Sequence, residues 1–131
     1  MTMETLVAHY PDEGAAEPAR ERVREVLDVV LQPRPAWPSL DEWRELLPRW
    51  FVDSCSDDVR VINCVIDKWS LRAWIYWFQP DQRRWTLKDV RAEGDRLFID
   101  IEPTGQGSLL LGSLEWLIKV TGGRLESRPP D

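Results

Sequence analysis

Trp85-Thr86-Leu87-Lys88-Asp89-Val90-Arg91-Ala92-Glu93-Gly94-Asp95-Arg96-Leu97-Phe98-Ile99-Asp100-Ile101-Glu102 is the stretch that decides the fold. Glu93-Gly94-Asp95 is turn chemistry. After it Leu97, Ile99 and Ile101 alternate with Phe98, Asp100 and Glu102, a period of two that sends one set to a core and the other toward water. A β-hairpin with strands over 85–91 and 96–102 is expected.

Outward from the hairpin the apolar period becomes helical. Pro18 suits a first turn, Ala19, Val23, Val26, Leu27, Val30 and Leu31 recur at helical spacing, and Pro33 stops the run, which predicts a helix over 18–32. The connector Pro33-Arg34-Pro35-Ala36-Trp37-Pro38 is stiff. Ser39-Leu40-Asp41-Glu42 then reads as a capping box. On the wheel Leu40, Trp43, Leu46, Leu47, Trp50 and Phe51 share one face, Asp41, Glu42, Glu45, Arg49 and Asp53 the other, and Pro48 should kink or split the helix. The β-branched run 59–67 is read as a buried strand and 69–78, with Ser70 as a cap, as a short buried helix, although each pattern also fits the other state. Leu109, Leu110, Leu114, Leu117 and Ile118 form a last helical stripe, stopped by Gly122-Gly123.

Residues 1–16, with Leu6-Val7-Ala8, read as a loose arm or an edge strand, and 124–131 as a loose tail. The expected architecture is a small single α+β domain, with helices packed on one face of a short antiparallel sheet. Its 131 residues, 43% hydrophobic and 31% charged, suit one domain able to bury a core without metal or disulfide. Cys55 and Cys64 lack the CxxC spacing of a redox or zinc motif and read as small core residues in a reducing compartment. With neither a leader pattern at 1–10 nor a long apolar run, the expected location is cytoplasmic, away from membranes. Fourteen Arg against three Lys point to a bacterial coding sequence rich in GC.

Charge is unevenly spread. Residues 1–58 carry thirteen acidic and six basic side chains, net −7, whereas 59–131 are net +1. Such a surface repels phosphate backbones, which disfavours nucleic acid, and attracts a basic protein partner.

Catalytic inventory is thin. His9 is the single histidine, in the expected arm. One His and two separated Cys cannot close a zinc site, and Gly105-Gln106-Gly107 lacks both the third glycine of a dinucleotide fingerprint and the Gly-Lys of a P-loop. Asp100 and Glu102 share a strand face, as acid–base chemistry would want, but that face is expected to meet water. No enzyme, metal or cofactor is therefore expected. Eight tryptophans are the most unusual feature. Trp43, Trp50, Trp74 and Trp116 fall on apolar stripes and read as core, while Trp37, Trp69 and Trp85 are the candidates for exposure.

The segments Trp69-Ser70-Leu71-Arg72-Ala73-Trp74 through Trp77, Pro80 and Arg84-Trp85, then 97–102 and Leu114-Glu115-Trp116-Leu117 with Gly122, resemble small tryptophan-rich bacterial domains of uncharacterised or immunity-like type. In size, acidity and α+β character the chain is similar to the cytoplasmic immunity proteins of polymorphic toxin systems. The resemblance implies neutralisation of a cognate secreted toxin by covering its active site. Charge and aromatic content then suggest an acidic face of Asp41, Glu42, Glu45, Asp53, Asp57 and Asp58 that steers toward a basic partner, with Trp37, Trp69 and Trp85 as anchors. The alternative is a small-molecule or carbohydrate-binding module, with a flat row of indoles on one sheet face. A third reading, an enzyme using carboxylates alone, requires two acids converging in a cleft.

Overall fold

The computed structural model describes residues 3–55, 69–105 and 109–129. Its architecture is α+β: a four-stranded antiparallel sheet and, among the described residues, five helices. The chain divides into two compact units, Met1–Arg24 with Arg83–Asp131, and Glu25–Gln82.

The first unit holds the sheet. Strands β1 (Glu4–His9), β2 (Trp85–Glu93), β3 (Arg96–Pro103) and β4 (Arg124–Ser127) lie in the order β2-β3-β1-β4. The hairpin is where the sequence places it, with Gly94 in the left-handed region at φ 62° that a tight turn demands. One feature of β2 breaks strict alternation: the register shifts between Leu87 and Asp89, so Leu87 opposes Ile101 and Val90 opposes Ile99 on the same sheet face. That face carries Leu6, Ala8, Val90, Leu97, Ile99 and Ile101, all buried.

Two expectations are corrected here. Residues 4–9 are not a loose arm or an edge but an inner strand, paired with β3 from Glu4–Ile101 to His9–Arg96 and with β4 on the other side. Leu6 and Ala8 alternate inward with no exposure, and the burial of that face repays the ordering of a terminal segment. Likewise the tail is not loose over 124–127, which pair with β1 through Ala8–Leu125 and His9–Arg124.

Helix α1 (Ala16–Val30) buries Ala19, Val23, Val26, Leu27 and Val30, the stripe read from the sequence. It belongs to both units, since the division falls at Arg24. In the first unit α5 (Gly112–Val120) buries Leu114, Trp116, Leu117 and Ile118 and ends in a Schellman motif. The Gly123 N–H donates to the Ile118 carbonyl and the Gly122 N–H to that of Lys119, both at 3.0 Å, with Gly122 at φ 95°. Gly123 is required for space: a Cβ there would lie 2.5 Å from Cζ of the buried Tyr10 ring.

In the second unit the long helix divides as its proline requires. Helix α2 (Leu40–Leu46) ends at Leu47, which is extended at φ −80°, ψ 153°, and α3 (Arg49–Ser54) begins after Pro48. The proline ring disfavours a helical residue before it, and its own fixed φ suits a helix start. The capping box is complete, the Ser39 hydroxyl accepting from Glu42 N–H and the Ser39 N–H donating to Glu42 Oε1 at 3.0 Å. Ser70 caps α4 (Leu71–Tyr76) by accepting from Ala73 N–H, so 71–76 is the short buried helix expected there. The strand read over 59–67, and Gln106 and Gly107 of the Gly105-Gln106-Gly107 motif, lie outside the described residues.

Candidate functional site

Helix α2 lifts three acids into solvent. Asp41 and Glu45 stand four residues apart on one strip, and Glu42 and Leu46 on the next. Asp41 is paired with Arg44 at 3.0 Å, and on α3 Asp53 with Arg49 at 3.6 Å. Glu42 is held below the usual carboxylate range by the Ser39 backbone N–H that it accepts from. Glu45 is exposed and makes no ion pair among the described residues. Local pairing therefore satisfies part of the acidic face, leaving Glu45 with Glu42 as its least neutralised portion. Asp57 and Asp58 lie outside the described residues.

Beside these acids stands a residue the sequence misplaces. Leu46, expected in the core, is 42% exposed. It occupies the edge of the apolar arc on the wheel, and the break at Leu47 removes the continuous helix that would have tucked it in. Sequence reasoning could have found it by weighting distance from the centre of the arc. The exposed leucine thus stands next to Glu42 and Glu45 on α2.

The tryptophans sort differently from the expectation. Trp69 and Trp85, chosen as exposed anchors, are buried at 5% and 4% and cannot seat a partner without opening the fold. Trp69 is drawn in just ahead of the Ser70 cap, and Trp85 begins β2 on the same alternation as Leu87 and so faces the core side. Trp37 is half-buried, with its ring centroid 5.0 Å from that of Trp43. Trp43, Trp74 and Trp116 are core as expected, whereas Trp50 is half-buried and donates its indole N–H to Glu25 Oε1 at 2.8 Å. A row of indoles on a sheet face is not present: of the eight tryptophans only Trp85 lies on a strand, and it is buried.

On the other sheet face the structure corrects the solvated reading of Asp100. Its side chain is buried, receiving two hydrogen bonds from Arg91, from Nε at 2.8 Å and Nη2 at 3.2 Å, and one from Thr5 Oγ1 at 2.7 Å. The Arg91 guanidinium also lies 4.7 Å from the Phe98 ring centroid. Arg91 holds the Asp100 carboxyl below its usual value, helped by Thr5 and opposed by burial. Glu102 faces Lys88 at 3.7 Å instead of converging with Asp100 on a shared cleft. Every polar atom of Asp100 is thus committed to holding β1, β2 and β3 together.

This has a testable sign. A carboxyl lowered in the folded state contributes stability that is complete above the ordinary aspartate value and is lost as pH falls below it toward the folded value. Asp100→Asn should cost about 1–3 kcal/mol at neutral pH, and the cost should shrink below about pH 4. Urea unfolding of both proteins across that range checks it, and parallel curves would mean the pair adds nothing.

His9 Nε2 lies 2.9 Å from Asp95 Oδ2, which ties the end of β1 to the hairpin turn. Among the described residues no group of three or more His, Cys, Asp or Glu side chains is placed to hold a metal ion, and no helix is long and apolar enough to cross a membrane. Compared with protein-family models, with curated proteins and with solved structures, the chain matches none.

Proposed function

We propose that this is a cytoplasmic binding protein of immunity type, which neutralises a bacterial toxin by occluding its active site. The observation that carries the reading is the exposed Leu46 set among Glu42, Glu45 and Asp41 on α2. Acids at the rim steer a basic cleft into register, and the desolvated leucine supplies the short-range contact that slows dissociation. Trp37, part-exposed on the neighbouring connector, remains available for contact; Trp69 and Trp85 serve the core. The acidic surplus of residues 1–58 supports the same polarity of partner.

Affinity capture from the native bacterium, at low and moderate salt, tests this when run with the unaltered chain and with Leu46→Lys. One stoichiometric basic partner should be retained by the unaltered chain, lose its enzymatic activity in the complex, and escape Leu46→Lys. Since Leu46 is exposed, that variant should fold normally. A partner held equally by both proteins, or one whose activity survives in the complex, would overturn the reading.

A further inference from the structure

Arg34, Trp37 and Trp43 form a cluster with an excess of donors. The Arg34 guanidinium carbon lies 5.2 Å from the Trp43 ring centroid, and the Trp37 ring lies 5.0 Å from the same centroid. Arg34 Nη2 donates to the Val29 carbonyl at 3.1 Å and to Gln32 Oε1 at 3.3 Å, both neutral acceptors. Among the described residues no carboxylate pairs with this cation. Two further donors, Arg34 Nε and Trp43 Nε1, are buried with no hydrogen-bond partner. Trp43 itself is 1% exposed.

Buried donors without acceptors cost free energy, and one of these two, Nε, belongs to a half-buried guanidinium, so the acceptor that suits them best is an anion. Indole rings beside it supply flat apolar wall, which a hydrated inorganic anion does not use. A carboxylate suits one guanidinium and one indole N–H better than a phosphate dianion, whose charge would ask for more than one cation. Neither orphaned donor touches solvent, so entry has to move a ring. Of the two rings Trp37 is the part-exposed one, carried on a connector between Pro35 and Pro38.

We propose that Arg34, Trp37 and Trp43 form a binding site for a carboxylate on a flat apolar body, with Trp37 as its movable cover. The site shares Trp37 with the toxin-binding reading but does not depend on it. Benzoate is the probe. In a proton–nitrogen spectrum of the indole N–H groups, the Trp43 resonance is identified by its loss in Trp43→Phe. Benzoate should move that resonance downfield and saturably at millimolar concentrations, while benzamide, of the same shape but neutral, should not. The Trp116 indole N–H, also buried without an acceptor but outside this cluster, should stay in place. Arg34→Lys, which keeps the charge and removes Nε, should weaken benzoate by about tenfold or more. A Trp43 resonance unmoved by tens of millimolar benzoate, or moved equally by benzamide, would overturn the site and leave Arg34 held by the Val29 carbonyl, Gln32 and the Trp43 face. The comparison of benzoate with benzamide decides this on the unaltered chain even if Arg34→Lys folds poorly.

Discussion

Trp74→Ala is expected to cost about 3–5 kcal/mol of unfolding free energy, the largest loss for any single substitution considered. Trp74 has no exposure, and its ring centroid lies 4.5 Å from that of Phe51 and 4.4 Å from that of Phe78. It links α3 to α4 and to the turn that follows, so its removal leaves two aromatic rings facing a void that short helices of six residues can fill only by shifting. Against a typical total of about 5–15 kcal/mol for a domain, such a loss should lower the urea midpoint severely and flatten the near-ultraviolet circular dichroism. A cost below about 1 kcal/mol would mean that the three rings do not share a packed core.

Gly123→Ala is the second large effect and arises from the opposite cause, overfilling. The added methyl would stand 2.5, 2.8 and 2.9 Å from three carbons of the Tyr10 ring. That ring cannot swing aside cheaply, because it is 1% exposed and its hydroxyl is hydrogen-bonded to Thr121 Oγ1 at 2.7 Å. Burial also pushes the Tyr10 phenol above its ordinary pKa, with the Thr121 hydrogen bond opposing. The expected cost is about 1–3 kcal/mol. Tyr10→Leu should relieve it, so the double variant ought to be more stable than the two single losses predict, with a coupling of about 0.5–3 kcal/mol. Strict additivity in denaturant unfolding would show that the crowding lies elsewhere.

What was legible in the sequence was local. The Glu93-Gly94-Asp95 turn, the Ser39 to Glu42 box, the Ser70 cap and the break at Pro48 each depend on residues within a few positions of one another, and all four stand in the structure. Sheet order was not legible, because β1 reads as a short apolar patch until Leu6 meets Ile99 far along the chain. Asp100 misled for the same reason: alternation puts it on the face away from Ile99 and Ile101, but only the arrival of Arg91 and Thr5 decides that it is dry. For the candidate surface, the acids of α2 were found by composition. Leu46 was hidden by a wheel drawn through a helix that in fact ends, and Trp69 and Trp85 were misjudged because residues beside caps and turns read as surface while the core behind them was unseen.

The inner position of β1 sets the order in which the protein can be built. Thr5 and Asp100, hydrogen-bonded partners, are 95 residues apart, and the whole segment Glu25–Gln82 is synthesised between them. As the chain leaves the ribosome, β1 has no partner strand until β3 emerges. Contacts between such distant residues fold slowly. Closing the sheet therefore carries the loop-closure cost of a long intervening segment, a cost that the local turns and caps do not bear.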